Sequence, residues 1–140
     1  MEEALFKTQA GSSDADTIKS QTPKTVLIVD ESEETRDVLA TALERKGVRT
    51  FTASVPRRGA VIAREQKPDL VIFDVDAVST SPKQAIDAFA RAGNLEDAPI
   101  VAIGSTKFNA PMGEGGFISK PYHFAPLLQK IEQFLKMQEK

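Results

Sequence analysis

The chain has 140 residues, 41% hydrophobic and 27% charged, with a formal net charge of −2. That is about one globular domain's worth of chain, and so small a net charge draws it neither to nucleic acid nor to an anionic membrane. The absence of cysteine excludes disulfides, thiolate metal sites and a cysteine nucleophile, while no stretch approaches the roughly 18 apolar residues of a membrane span.

In chain order, residues 1–24 mix Ser, Thr, Asp, Lys and Gly with few apolar residues, the composition of a disordered tail. Their acidic start, MEEALFKTQ, lacks the apolar run of a signal peptide, so a cytoplasmic protein is expected. A single domain is expected over 25–140. TVLIV at 25–29 is a continuous aliphatic run, the pattern of a strand covered on both faces, and Asp30 and Glu31 end it. A helix follows, with Ser32 as its cap, Glu33 and Glu34 at its positive end, and Arg45 and Lys46 at the other. Val38, Leu39, Ala42 and Leu43 form its inward face, and Gly47 permits a left-handed stop. VRTFTA at 48–53 alternates like a less buried strand. A weaker helix covers about 55–66, with Pro56 near its start and Gly59 an unfavourable interior residue.

PDLVIFDVD at 68–76 holds the third strand, 69–73, ending on Asp74. Ser81-Pro82 starts a helix with Ile86, Phe89 and Ala90 inward and Gly93 closing it. PIVAI at 99–103 is a fully apolar strand. Residues 104–116, GSTKFNAPMGEGG, carry Gly, Asn and Pro where a long helix cannot form. FIS at 117–119 is a brief strand, and from Phe124 to about Met137 an apolar stripe at helical spacing marks the last helix. Strands alternating with helices make an α/β fold, a doubly wound, five-stranded parallel sheet with helices on both faces. Ligands in such sheets sit beyond the carboxyl ends of the strands.

Those ends carry the chemistry. Asp30 and Glu31 follow the first strand, Asp74 the third and Lys120 the last. Carboxylates converging in one crevice repel one another, which a hard divalent cation or a nearby ammonium relieves. Mg²⁺ suits one to three carboxylates plus waters and a phosphate oxygen, and a lysine can neutralise and donate to an oxyanion. Carboxylate, Mg²⁺ and lysine together are the set for phosphoryl transfer to a carboxylate nucleophile.

With VLIVDES at 26–32, DLVIFD at 69–74, PIVAI at 99–103 and ISKPY at 118–122, the chain resembles the receiver domain of two-component response regulators. The resemblance implies a flavodoxin-like (receiver) topology. It implies Asp74 as phosphoacceptor, and Asp30 and Glu31 as the acidic pair holding Mg²⁺, with Asp76 lending a backbone carbonyl. Lys120 matches the phosphoryl-contacting lysine, followed by a proline that in the family often sits on a cis bond, and Phe117 matches the aromatic switch residue. The implied partners are a sensor histidine kinase or phosphotransfer protein and an unknown downstream protein, through a stand-alone domain signalling by protein contacts. The alternative is a receiver-like interaction module that works without phosphorylation.

Three departures from the family stand out. The switch hydroxyl position falls on Gly104, with Ser105 one residue late and, by strand alternation, normally aimed away, unless Gly104 relaxes the backbone enough to bring the Ser105 hydroxyl round as a phosphoryl contact. The stretch to Lys120 is short for a full helix, so the fourth helix should be short or missing. After Asp74, VDAVSTSP replaces the usual Met-Pro and Gly-containing turn.

Overall fold

The computed structural model describes residues 23–77, 81–95, 98–105 and 116–137. The strands are β1 (Thr25–Val29), β2 (Arg49–Ala53), β3 (Leu70–Asp74), β4 (Ile100–Gly104) and β5 (Gly116–Ser119). The helices are α1 (Glu33–Arg45), α2 (Pro56–Gln66), α3 (Pro82–Ala92) and α4 (Phe124–Met137), and a 3₁₀ turn, Val75–Ala77, follows β3. The sheet runs β2-β1-β3-β4-β5 with every pairing parallel. This is the expected receiver topology, with four α-helices among the described residues. The expected tail lies almost wholly outside the described residues, as do 106–115, on which the expectation of a short or missing fourth helix falls.

Strand alternation divides the core. Leu27, Val29, Val71 and Phe73 face α2 and α3, with Phe73 and Phe89 ring centroids 4.8 Å apart. Val26, Ile28, Leu70, Ile72, Val101 and Ile103 face α1 and α4, meeting Leu39, Leu43, Leu127 and Ile131. Each covered face removes large aliphatic side chains from water, at about 1.5–3 kcal/mol apiece. Both faces of β1, β3 and β4 are therefore apolar, which is why their sequences run on without polar interruption.

Local signals set the helix ends. Ser32 Oγ accepts from the Thr35 amide at 3.1 Å, and Ser81 Oγ from the Gln84 amide at 3.2 Å. Gly47 takes φ +86°, ending α1 as expected. Gly59, the doubtful residue of α2, has a packing reason. A Cβ there would lie 2.7 Å from Val29 Cγ2 and 3.2 Å from Phe89 Cε1, so α2 approaches β1 and α3 more closely than alanine would allow.

Three expectations are corrected or extended. Val38 is 37% exposed, because the buried stripe of α1 runs through Leu39 and Leu43, one turn apart, and leaves Val38 at its rim. In α3 Ile86, Phe89 and Ala90 pack on the core as expected, but the inward face also takes in Ala85, which is buried where Ile86 and Ala90 are half-buried. Asp74 is the last residue of β3, pairing with Ile103, rather than the residue after the strand.

Candidate functional site

Three strand ends and one turn converge at the carboxyl edge. Asp30 follows β1, and its amide donates to Ala53 O at 3.0 Å, continuing the ladder to β2 by one step. Asp74 ends β3. By alternation with Leu70 and Ile72 its side chain leaves the sheet on the α1/α4 face. Lys120 follows β5, its amide donating to Gly104 O at 2.8 Å, and the Lys120–Pro121 peptide is cis.

Asp30 and Asp74 are the two buried charged residues among those described, 3% and 4% exposed. Such groups need compensation, and they receive unequal amounts. Lys120 Nζ lies 3.2 Å from Asp74 Oδ1, which also accepts the Asp76 amide at 3.0 Å. Asp30 Oδ1 accepts the Ser32 amide at 2.8 Å. Burial pushes the Asp30 carboxyl above its ordinary range. The Asp74 charge adds to this, while the Ser32 amide, Lys120 and Arg36 offset it in part.

Asp76 is the centre of a second set of contacts. Its Oδ2 lies 3.1 Å from Lys120 Nζ, so one ammonium bridges Asp74 and Asp76. Both Asp76 carboxylate oxygens are 3.1 Å from the Ser105 amide. Burial raises the Asp76 carboxyl, but the Ser105 and Lys120 hydrogen bonds outweigh it and hold the group below its ordinary value. Burial likewise lowers the Lys120 ammonium, and hydrogen bonds to Asp76 and Asp74 reverse this, so its pKa is raised. Lys120 is a fixed cation at any physiological pH.

The structure therefore brings Asp74, Asp76 and Lys120 together, with Asp30 coupled to them through charge and Ser105 attached through Asp76. Ser105 is exposed, and its hydrogen bonds go to Asp76 rather than Asp74. Glu31 is exposed. Its backbone carbonyl accepts from Arg36 Nη1 at 3.2 Å, and the same nitrogen donates to Asp30 O at 2.7 Å. Phe117 is half-buried beside the α2/α3 core. At Gly104 a Cβ would stand 2.6 Å from Val75 Cγ2, 3.3 Å from Asp76 Oδ1 and 3.5 Å from Phe117 Cε1. Glycine is thus matched to the turn that covers it.

Sequence reasoning missed Arg36, which clamps the carbonyls of the acidic pair, and the Asp76 side chain. An arginine closing the first turn of the following helix was the available signal for the first. Tyr122 is half-buried, edge-on to Phe124 with ring centroids 5.5 Å apart. Burial raises its phenol pKa, opposed by a hydrogen bond with Thr35, and it feels the charges of Asp30, Lys120 and Asp74.

No three acidic or histidine side chains among the described residues stand grouped as a ready metal site. Mg²⁺ does not require three, since it keeps several waters and takes one or two carboxylates. The all-oxygen donors and the under-compensated Asp30 carboxylate fit such an ion.

No protein-family model matches the chain. Among curated proteins it is similar to the KDP operon transcriptional regulatory protein KdpE of Escherichia coli, 29% identical across 79% of this chain and 51% of that protein. It is also similar to the polar-differentiation response regulator DivK of Brucella anthropi, 24% identical across 81% of this chain and 97% of DivK. The chain thus spans about half the length of KdpE and nearly all of DivK. Among solved structures, the receiver domain of the hybrid histidine kinase CckA superposes with a TM-score of 0.64 at 26% identity, over 79% of this chain and 98% of that one.

Proposed function

We propose that this chain, similar to response regulators and to a receiver domain, works as a receiver domain in which Asp74 accepts a phosphoryl group from a phosphohistidine of a sensor kinase or phosphotransfer protein. The observation that carries this is the bridging ammonium, Lys120 Nζ at 3.2 Å from Asp74 Oδ1. It places a permanent cation where a phosphoryl group on Asp74 would put new negative charge.

In the step, an Asp74 carboxylate oxygen attacks phosphorus. An O–P bond forms as the donor's N–P bond breaks, and the electron pair of that bond stays on the imidazole nitrogen. The product is an acyl phosphate. Lys120 stabilises the charge gathered on the phosphoryl oxygens, moving from Asp74 Oδ1 onto them. Asp30 and Asp74, with the Asp76 carbonyl and Glu31 in support, are the residues that would hold Mg²⁺. That ion, when bound, supplies charge neutralisation for the donor's and acceptor's oxygens. Arg36 fixes the backbone on which Asp30 and Glu31 stand.

Incubation with a small acyl-phosphate donor and Mg²⁺ tests the reading by intact mass. The expected result is one added phosphoryl group on the wild type and none on Asp74→Asn. Equal labelling of the two, or no labelling of either, refutes it. Gly104 in the switch position favours a second reading, an interaction module indifferent to phosphorylation. Its mark would be a partner that binds wild type and Asp74→Asn equally well.

A further inference from the structure

We infer that the Asp76 carboxylate is a positioning residue that divides Lys120 with Asp74 and transmits the lysine's position to the chain leaving β4 at Ser105. The inference rests on the phosphoacceptor reading for what moves the lysine in the cell, but the link itself is present without phosphorylation. Three elements meet on this one side chain. It belongs to the turn after β3, it receives the Ser105 amide from the end of β4 on both oxygens at 3.1 Å, and it holds Lys120 from the end of β5 at 3.1 Å.

The crowding at Gly104 gives the arrangement its purpose. A side chain on Gly104 would meet Val75 Cγ2 at 2.6 Å and Asp76 Oδ1 at 3.3 Å. The space a hydroxyl-bearing residue would need is closed by the turn, so no β4 side chain can read the acid pocket from there. Ser105, the next residue, reads it instead, through its amide and its hydroxyl. The Ser105 amide bonds to a carboxylate, and that carboxylate's charge is balanced by the same ammonium that neutralises Asp74. Charge-assisted hydrogen bonds strengthen with the charge they meet, so the Ser105–Asp76 bond depends on where Lys120 stands.

On Asp74 phosphorylation the lysine has a stronger attractor. A phosphoryl group carries two negative charges or nearly so, against one on Asp76. As Lys120 is drawn off, Asp76 loses its balancing cation and is left beside a new anion. Repulsion turns it outward, and the Ser105 amide loses or follows its acceptor. The start of the segment after β4 thus changes its anchoring with the state of Asp74, without a hydroxyl at position 104.

The test is the Ser105 amide resonance by ¹⁵N NMR in the full chain, in wild type, Lys120→Met, Asp76→Asn and the double variant. Asp76→Asn retains a carbonyl oxygen for the Ser105 amide but loses the second acceptor oxygen and the charge that hold the ammonium. The expected result is a clear shift of the Ser105 amide on Lys120→Met in the wild-type background, and its loss in the Asp76→Asn background. A Ser105 resonance unmoved by Lys120→Met, or moved equally in both backgrounds, overturns the inference. A merely structural role for Asp76 would change stability without making one substitution's shift depend on the other. The second arm adds acetyl phosphate and Mg²⁺. A wild type that labels on Asp74 with Ser105 moving, beside an Asp76→Asn that labels with Ser105 still, supports the inference. Labelling with Ser105 moving alike in both overturns it. Failure of the wild type to label counts against the phosphoacceptor reading, and the first arm still decides the link.

Discussion

Placing a hydroxyl where the receiver family has one should cost this protein stability. In Gly104→Ser the new Cβ would stand 2.6 Å from Val75 Cγ2, well inside the 3.4 Å at which ordinary van der Waals contact begins. Val75 is 4% exposed and β-branched, so it cannot swing aside into solvent or readily change χ1. Overpacking of this kind costs about 1–3 kcal/mol. Against it stand a hydrogen bond from the new hydroxyl to Asp76, about 0.5–1.5 kcal/mol net, and a gain of about 0.4–1 kcal/mol from stiffening the unfolded chain. The second gain requires an unstrained site, which the clash denies. The steric term wins, and a net loss of about 1 kcal/mol is expected, lowering the urea midpoint with the slope unchanged. Val75→Ala removes the offending methyl. In that background Gly104→Ser should be close to neutral, giving an interaction energy of about 1 kcal/mol between the two sites. Gly104→Ser as stable as wild type, or equally costly in both backgrounds, would refute the steric account.

Asp30→Asn should stabilise the metal-free protein by about 1 kcal/mol, since it removes a buried, under-compensated charge. The sign follows from the raised carboxyl. The folded state holds that proton more tightly, so its contribution is present below the ordinary value of 3.8 and is lost as pH rises through the folded pKa. The stability difference between variant and wild type should therefore shrink on acidification through that window, as urea midpoints at several pH values will show. Lys120→Met has the opposite sign, because it leaves Asp74 and Asp76 without their cation. With Lys120 about one-third exposed, water screens part of the loss, and about 1–2 kcal/mol is expected by urea titration. Mg²⁺ should raise the wild-type midpoint, by about 2.7 kcal/mol in stability at a hundredfold excess over its dissociation constant, and should do so far less for Asp30→Asn. An equal Mg²⁺ response in both would remove Asp30 from the ion's ligands.

The fold was largely legible because this sheet is covered on both faces. That condition writes itself into the sequence as unbroken apolar runs at 26–29, 70–73 and 100–103, and Ser32 and Ser81 announce their helices by capping them. Helix faces were less legible where they are narrow. Val38 sits beside a two-residue stripe, and sequence spacing does not say which flank of it meets the sheet. Gly59 read as a weakness in α2 because its reason lies in Val29 and Phe89, distant in sequence. At the site, the strand-end residues Asp30, Asp74 and Lys120 were legible because their places follow from strand order. Asp76 was read for its carbonyl, and its carboxylate proved to bind Lys120 and Ser105. Sequence order locates a residue but does not say which of its functional groups meets the pocket.

The charge balance of the site explains why that distinction matters. Among the described residues, the side chains around Asp74 supply one ammonium, Lys120, against the carboxylates of Asp30, Asp74 and Asp76. Arg36 spends its hydrogen bonds on backbone carbonyls, so it fixes geometry more than it cancels charge. The pocket is left negative, and a phosphoryl group would make it more so. Lys120 alone cannot answer both carboxylates and a dianion. A divalent cation must take the Asp30 side of the pocket if Asp74 is to be phosphorylated, and Lys120 must then leave Asp76 for the phosphoryl oxygens. Burial, with the Asp74 charge beside it, holds the Asp30 carboxyl above its ordinary range; the shortage of positive charge makes the Lys120–Asp76 pair the contact most easily exchanged, and Ser105 hangs on that contact.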